Sequence, residues 1–258
     1  MQRLLSFLAM VILCAGTVPA HAAGLRFILV GDSTVAEKSG WGPGFCADVA
    51  SGVTCVNLAR GGRSSKSYRE DGTWKQVLDQ LKSNAKFQQT YVLIQFGHND
   101  QPGKPGRSTD VKTEFPVNMK GFVDEVKATG AVPILVTPLS RRSFDSSGHI
   151  HDSLGPWADA DVQVGADEKI TVLDLHADSI AALNAMGKDE ADTLAMAPRP
   201  DPNAPAPTTS TERNGEAVAR FDGTHLGAKG AAFFAHMVEN ELTAAVPATK
   251  GSFKLVAK

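Results

Sequence analysis

Five short apolar segments recur along the chain, and they limit most strongly what it can fold into. Each has six residues, is rich in Val, Ile and Leu, and lacks the polar alternation of a half-exposed strand. Such segments are typical of strands buried on both faces of a parallel sheet. The predicted strands are residues 25–30, 53–58, 91–96, 132–137 and 170–175.

Helix-like segments separate these strands along most of the chain. The predicted helices are residues 44–51, 73–84, 114–129, 156–168, 176–186 and 227–245. This alternation predicts an α/β fold, a three-layer α/β/α sandwich around a five-stranded parallel sheet.

The first 23 residues have the pattern of a secretory signal peptide. Arg3 is followed by an apolar stretch over residues 4–17 and by a small-x-small cleavage site at residues 20–22. The apolar stretch is shorter than the ~20 residues that a membrane-spanning helix needs. A lipid anchor on Cys14 is less favoured, because Leu13 stands where a small residue is expected. We therefore expect a secreted or periplasmic protein with one domain over residues 24–258.

Two stretches interrupt the alternation of strands and helices. Residues 140–155 are polar and predict a long loop after the fourth strand. Residues 197–215 contain five prolines and predict a surface insertion, since too little chain follows to form a second domain.

Charge and cysteine content exclude several classes of partner. The chain has 26 Lys and Arg against 28 Asp and Glu, without a basic stripe, which argues against nucleic acid and anionic membrane surfaces as partners.

Cys46 and Cys55 either form a disulfide or are buried thiols, and export favours the disulfide. No Cys and His spacing predicts a zinc site. We expect a monomer without a cofactor or metal.

Four polar segments mark the candidate site. Three directly follow predicted strands: Gly-Asp-Ser-Thr at 31–34, Ala-Arg-Gly-Gly-Arg-Ser-Ser at 59–65 and Gly-His-Asn-Asp at 97–100. The fourth, Asp-Gly-Thr-His at 222–225, precedes the last predicted helix. Because sites in open parallel sheets form at the carboxyl ends of the strands, we expect these segments to meet.

The residues in these segments suit acyl transfer. The Ser33 hydroxyl needs a base to become a nucleophile, and that base needs a third group to orient it. His225 can serve as the base, with Asp222 orienting it from three residues earlier. A glycine N–H and the amide of Asn99 can stabilise an oxyanion. We expect Ser33 to open a helix. A metal site at Asp222 and His225 is less favoured, because no third ligand has a suitable spacing.

The four segments, in this order, resemble the four sequence blocks of the SGNH (GDSL-like) hydrolase superfamily. The resemblance implies a flavodoxin-like fold, a catalytic triad of Ser33, Asp222 and His225, and an oxyanion hole formed by Ser33, Gly62 and Asn99. Gly62 is preferred to Gly61 because it precedes Arg-Ser, as the family's glycine does.

Finer features resemble the rhamnogalacturonan acetylesterases within this superfamily. These are Gly-Asp-Ser-Thr-Val at 31–35, Gly-Trp-Gly at 40–42 and Phe-Gly-His-Asn-Asp at 96–100. The resemblance implies a secreted serine esterase that removes acetyl groups from pectic polysaccharide through an acyl-enzyme on Ser33. The alternatives are the same chemistry on xylan, aryl or lipid esters, and a carbohydrate-binding relative without activity.

Several neighbouring side chains have expected roles as well. We expect Asp32 to brace the serine turn and His98 to hold its loop by hydrogen bonding. Trp41 is equally consistent with sugar stacking and with the core. Arg63 is a candidate for contact with a galacturonate carboxylate, or for pairing with a local acid. His149 and His151 are expected to be exposed to solvent.

Overall fold

A computed structural model describes residues 24–200, 212–213, 216–217 and 221–254. The predicted signal peptide lies outside the described residues, as does most of the proline-rich stretch.

The main sheet has five parallel strands in the order β2-β1-β3-β4-β5. The strands are β1 (Arg26–Gly31), β2 (Thr54–Asn57), β3 (Thr90–Gln95), β4 (Val132–Val136) and β5 (Thr171–Leu173). This order is that of flavodoxin-like folds. The predicted fold class and all five predicted strands are confirmed. A second, two-stranded antiparallel sheet is formed by β6 (Glu212–Arg213) and β7 (Glu216–Ala217).

Eight α-helices connect or follow the strands in the described part of the chain. They are α1 (Gly42–Asp48), α2 (Ser67–Glu70), α3 (Thr73–Leu81), α4 (Phe115–Ala128), α5 (Gly155–Glu168), α6 (Leu175–Met186), α7 (Lys188–Asp192) and α8 (Ala228–Ala245). The short helices α2 and α7 were not predicted, since four or five residues are too few to show a helical period. None of the described helices has both the length and the apolar character needed to cross a membrane.

Alternate residues of β1 point to opposite layers of the sandwich. Phe27 and Leu29 belong to a buried apolar cluster with α1, α6, α7 and α8. Ile28 and Val30 belong to a second cluster with α2, α3, α4 and α5. Both faces of β1 are therefore covered, which explains why its sequence is apolar throughout.

A disulfide joins Cys46 of α1 to Cys55 of β2, with the two Cα atoms 5.3 Å apart. The bond ties the edge strand β2 to the helix that follows the Ser33 segment. The disulfide, rather than a pair of free thiols, is the state that the structure shows.

We predict that replacing both cysteines with alanine lowers the free energy of unfolding by about 2–3 kcal/mol, because the bond closes a loop of roughly ten residues. Chemical denaturation of the wild type and of the Cys46→Ala, Cys55→Ala double variant measures this change. Wild type treated with a reducing agent is the control and should unfold at the same denaturant concentration as the double variant. An unchanged midpoint in both would contradict the prediction.

Candidate active site

The candidate site lies where β1 and β3 end, at the carboxyl edge of the sheet. Gly31 of β1 pairs with Gln95 of β3, and the Ser33 turn and the 97–100 loop continue from these two residues. The strand order reverses at β1, and crevices at such switch points are where open α/β sheets bind ligands.

The Ser33 segment is a turn held by the side chain of Asp32. Asp32 Oδ1 accepts hydrogen bonds from the backbone N–H of Thr34 and from its hydroxyl, both at 2.8 Å. The Ser39 hydroxyl donates to the Ser33 carbonyl at 2.7 Å. The expected bracing role of Asp32 is confirmed. The expected helix at Ser33 is wrong, because the chain turns back at once and α1 begins only at Gly42.

Trp41 is part of the support beneath this turn. It is buried, and its indole N–H donates to Gln95 Oε1 at 3.0 Å. Gln95 Nε2 in turn donates to the Thr34 hydroxyl at 2.6 Å. Trp41 is therefore a core residue and not a platform for sugar stacking.

Asp222, His225 and Ser33 form one chain of hydrogen bonds. The His225 Nδ1 lies 2.8 Å from Asp222 Oδ2, and its Nε2 lies 3.0 Å from Ser33 Oγ. Because Nδ1 faces a carboxylate, it carries the proton, and Nε2 is left to accept the Ser33 hydroxyl proton. The structure thus brings together three residues that span 192 positions of sequence.

The Asp222 carboxylate also holds its own turn. Its Oδ1 accepts hydrogen bonds at 2.7 Å from the backbone N–H groups of Thr224 and His225. Burial alone raises the pKa of Asp222, but the contact with His225 and these backbone hydrogen bonds outweigh it and leave the pKa below its ordinary value. The carboxylate therefore stays ionised near neutral pH, as an orienting group for His225 must.

Gly62 and Asn99 lie side by side in neighbouring loops. Gly62 has a φ of 72°, a left-handed conformation that glycine adopts without strain. Asn99 is buried, and its Nδ2 donates to the Arg63 carbonyl at 3.0 Å. The amide carries a second N–H that this bond does not use. Both residues lie in the loops that follow β2 and β3, and their role in an oxyanion hole stays a prediction.

Asp100 ties these two loops together. Its buried carboxylate accepts hydrogen bonds from the Ser65 hydroxyl at 2.6 Å, the Thr109 hydroxyl at 3.0 Å and the Gly97 N–H at 3.1 Å. Burial raises the pKa of Asp100 to about 6 despite these bonds. The position of Asn99 therefore depends on a carboxylate that belongs to the motif at 97–100 but to which the sequence analysis assigned no role.

A model of the GDSL-like lipase/acylhydrolase family matches residues 29–233, which include all of these side chains. The chain belongs to this family. Its relatives are named ester hydrolases, and it is a carboxylic ester hydrolase.

Among curated relatives, the chain is 33% identical over 223 residues to rhamnogalacturonan acetylesterase RhgT of Bacillus subtilis. The match covers 83% of this chain and 88% of RhgT. The solved structure of YxiM from the same organism is 25% identical, with a TM-score of 0.62, and the match covers 85% of this chain and 56% of YxiM. A structure of Axe2, an acetylxylan esterase of Geobacillus stearothermophilus, is 14% identical with a TM-score of 0.58. That match covers 90% of this chain and 96% of Axe2, and it shows a shared fold.

Two cations near the esterase's Asn99 were missed by the sequence analysis. Arg107 Nη1 donates to the Gly62 carbonyl at 3.2 Å and to Asn99 Oδ1 at 3.3 Å. Lys104 Nζ lies 3.4 Å from the same Asn99 oxygen. Positive charge at the amide oxygen fixes which way the amide points and polarises its N–H groups.

His98 lies beneath the Ser33 turn without the hydrogen bond that was expected. Its Nδ1 is 3.6 Å from Asp32 Oδ2, and neither ring nitrogen has a partner within hydrogen-bond distance. Burial lowers the pKa of His98 more than the Asp32 carboxylate raises it. The ring is therefore neutral at neutral pH and fills space under the site.

Arg142 holds the turn that contains Asp222 and His225. Its Nη2 donates to the Asp222 carbonyl at 2.9 Å and to the His225 carbonyl at 2.7 Å. The backbone N–H of Arg142 also donates to the Gly223 carbonyl at 2.7 Å. Burial lowers the pKa of Arg142 to about 10, so it remains a cation at neutral pH. The predicted loop at 140–155 thus supplies a residue that positions the triad.

The remaining predicted residues lie at the edge of the site or away from it. Arg63 pairs with Asp71 at 2.6 Å, which is the local pairing considered from sequence. His149 and His151 are exposed, as expected. Among the described residues, no third His, Cys, Asp or Glu joins Asp222 and His225 in a group that could hold a metal ion.

We predict that Arg142→Lys lowers kcat roughly 10- to 100-fold, because one ammonium replaces a planar group that meets two carbonyls, and small displacements of the base are costly. Initial rates with a chromogenic acetate measure the effect. The matched control is Arg69→Lys, since Arg69 pairs with Glu125 outside the site. An unchanged kcat in Arg142→Lys would show that this residue does not position the triad.

Proposed function

We propose that this protein is an exported serine acetylesterase that removes O-acetyl groups from rhamnogalacturonan-type pectic polysaccharide. The observation that carries the proposal is the hydrogen-bonded chain from Asp222 through His225 to Ser33. A carboxylate, an imidazole and a serine hydroxyl joined in this order are the parts that acyl transfer requires.

In the first half of the proposed reaction, Ser33 Oγ attacks the acetyl carbonyl carbon while His225 Nε2 takes its proton. The backbone N–H groups of Ser33 and Gly62 and the Nδ2 of Asn99 stabilise the oxyanion. His225 then gives the proton to the departing sugar oxygen, and the acetyl group remains bound to Ser33.

In the second half, His225 takes a proton from water, and the resulting hydroxide attacks the acetyl-serine. Acetate leaves, and the proton returns from His225 to Ser33. Asp222 stays ionised throughout and stabilises the imidazolium that forms twice in each cycle. No cofactor takes part in these steps.

The substrate assignment draws on the relatives and on the surface beside Gly62. RhgT, which is similar over most of both chains, is named a rhamnogalacturonan acetylesterase. A depression of about 350 Å³ lies beside Gly62. Its lining is polar and charged, and consists of Gly62, Arg63, Ser67, Glu70, Asp71 and Arg107. Such walls suit a hydroxyl-rich sugar chain better than a fatty acyl chain.

The distribution of apolar side chains also favours a polysaccharide over a lipid. In the described ranges, the large apolar side chains that stand exposed are Val117 of α4 and Val162 of α5. Neither belongs to the loops that form the site. Enzymes that act on lipids need a continuous apolar surface near the nucleophile, and the described loops around Ser33 offer none.

Export is supported by the pattern of residues 1–23 and by the disulfide between Cys46 and Cys55. Disulfides persist in oxidising compartments and are rare in the cytosol. A secreted or periplasmic location also matches a substrate that is too large to enter a cell.

We predict that Ser33→Ala lowers kcat for a chromogenic acetate by about 1,000-fold or more, and that Asn99→Ala lowers it about 100- to 1,000-fold. The matched control is Ser147→Ala, because Ser147 is an exposed serine in the 140–155 loop. Turnover by Ser33→Ala equal to that of the wild type would overturn the proposal.

We predict that acetate is released from acetylated rhamnogalacturonan with a kcat/KM at least roughly tenfold higher than from acetylated xylan. Acetylated homogalacturonan and a long-chain aryl ester complete the panel. A preference for xylan would overturn the substrate assignment but leave the serine esterase standing. A higher kcat/KM for the long-chain aryl ester than for the acetylated polysaccharides would indicate that the substrates are lipids.

A further inference from the structure

A group of three potential metal ligands lies on the face of the sheet that carries α1 and α8. Asp48 is the last residue of α1, and His236 and Glu239 lie on α8. One ligand atom from each residue lies within 4.8 Å of the other two. His236 and Glu239 are three positions apart on a helix and so share a face.

Within this group, the Asp48 and His236 side chains are already in contact. Asp48 Oδ2 lies 3.0 Å from His236 Nε2. Two ligands that bind one zinc ion at their usual distances lie roughly 3–3.5 Å apart. The pair is a direct ion pair in the structure, and its spacing is also short enough for both side chains to bind one ion.

The third member, Glu239, is buried, and one of its two carboxylate oxygens lacks a hydrogen-bond partner. Its side chain is 7% exposed, and its Oε1 has no hydrogen-bond partner. A buried carboxylate without a partner costs several kcal/mol in general, so such groups are expected to meet a proton, a cation or a metal.

We propose that Asp48, His236 and Glu239 bind a divalent transition-metal ion, with zinc as the best fit. One imidazole and two carboxylates form a donor set that Zn²⁺ accepts, with water completing the coordination. A bound ion would give the buried Glu239 Oε1 the partner that it lacks. The half-exposed His236 leaves a path for the ion to enter.

The location gives the ion a structural role. Helix α1 follows the Ser33 turn, and α8 follows His225 directly. An ion shared by both helices links the two segments that carry the nucleophile and the base, at a distance from the reacting atoms. It therefore stabilises the fold and takes no part in the transfer of the acetyl group.

The test is thermal unfolding of chelator-treated protein, with and without added ZnCl₂. At a zinc concentration about 100-fold above Kd, Tm of the wild type should rise by roughly 5 °C. The rise should be lost in His236→Gln and in Glu239→Gln. Both variants should fold, because the first replaces a half-exposed side chain and the second puts a neutral amide of the same shape in place of a buried carboxyl whose Oε1 has no partner.

Two controls make the outcome specific. Glu241→Gln changes another partly buried glutamate of α8, and His149→Gln removes an exposed histidine, so both should keep the full rise in Tm. No rise in wild type, or a rise that persists in His236→Gln and Glu239→Gln, would overturn the proposal. Esterase activity enters none of these readouts, so the result is independent of the proposed function.

Discussion

The parallel pairing of β1 with β3 is the constraint on which the candidate site depends. It aligns Gly31 with Gln95, so that the Ser33 turn and the loop with Asn99 leave the sheet at the same edge. Gly31 packs so closely that an added Cβ would lie 2.8 Å from the Gln95 carbonyl oxygen and 2.6 Å from a methyl group of Val35. The glycine that opens the serine motif is therefore required by the contact between two strands.

Carboxylates then fix the loops that the sheet has aligned, and those of Asp32 and Asp100 are buried while that of Asp222 is half-buried. Asp32 holds the serine turn, Asp100 joins the loops after β2 and β3, and Asp222 holds the turn with His225. Each accepts backbone N–H groups, which offsets part of the cost of burying its charge. The raised pKa of Asp100 shows that this compensation is incomplete.

The fold and the central residues of the candidate site could both be predicted from the sequence, for different physical reasons. Strands buried on both faces must be apolar throughout, so β1 and β3 were located to within one residue. Ser33, Asp222 and His225 stand in local motifs, and the structure places them in contact. The helix expected at Ser33 is absent because the side chains of Asp32 and Ser39 hold this segment as a turn. Hydrogen bonds of this kind leave no strand or helix pattern in the sequence.

What the sequence did not reveal depends on contacts between distant loops. Arg142 meets the carbonyls of Asp222 and His225 across 80 or more positions of sequence, and no local pattern marks it. Arg107 and Lys104 are only eight and five positions from Asn99, in the same loop, but no period or motif in that polar loop marks their contact with the amide. Glu239 lies on the predicted last helix, but the burial of its side chain and the lack of a partner for its Oε1 become evident only once the helices have packed together.

The central claim is that His225 activates Ser33, and a serine-directed phosphonylating reagent tests it most directly. Intact-mass measurement followed by peptide mapping should find one adduct, on Ser33, and His225→Gln should slow its formation by about 100-fold or more. An adduct on a different serine, or equal labelling rates in the wild type and in His225→Gln, would contradict the account.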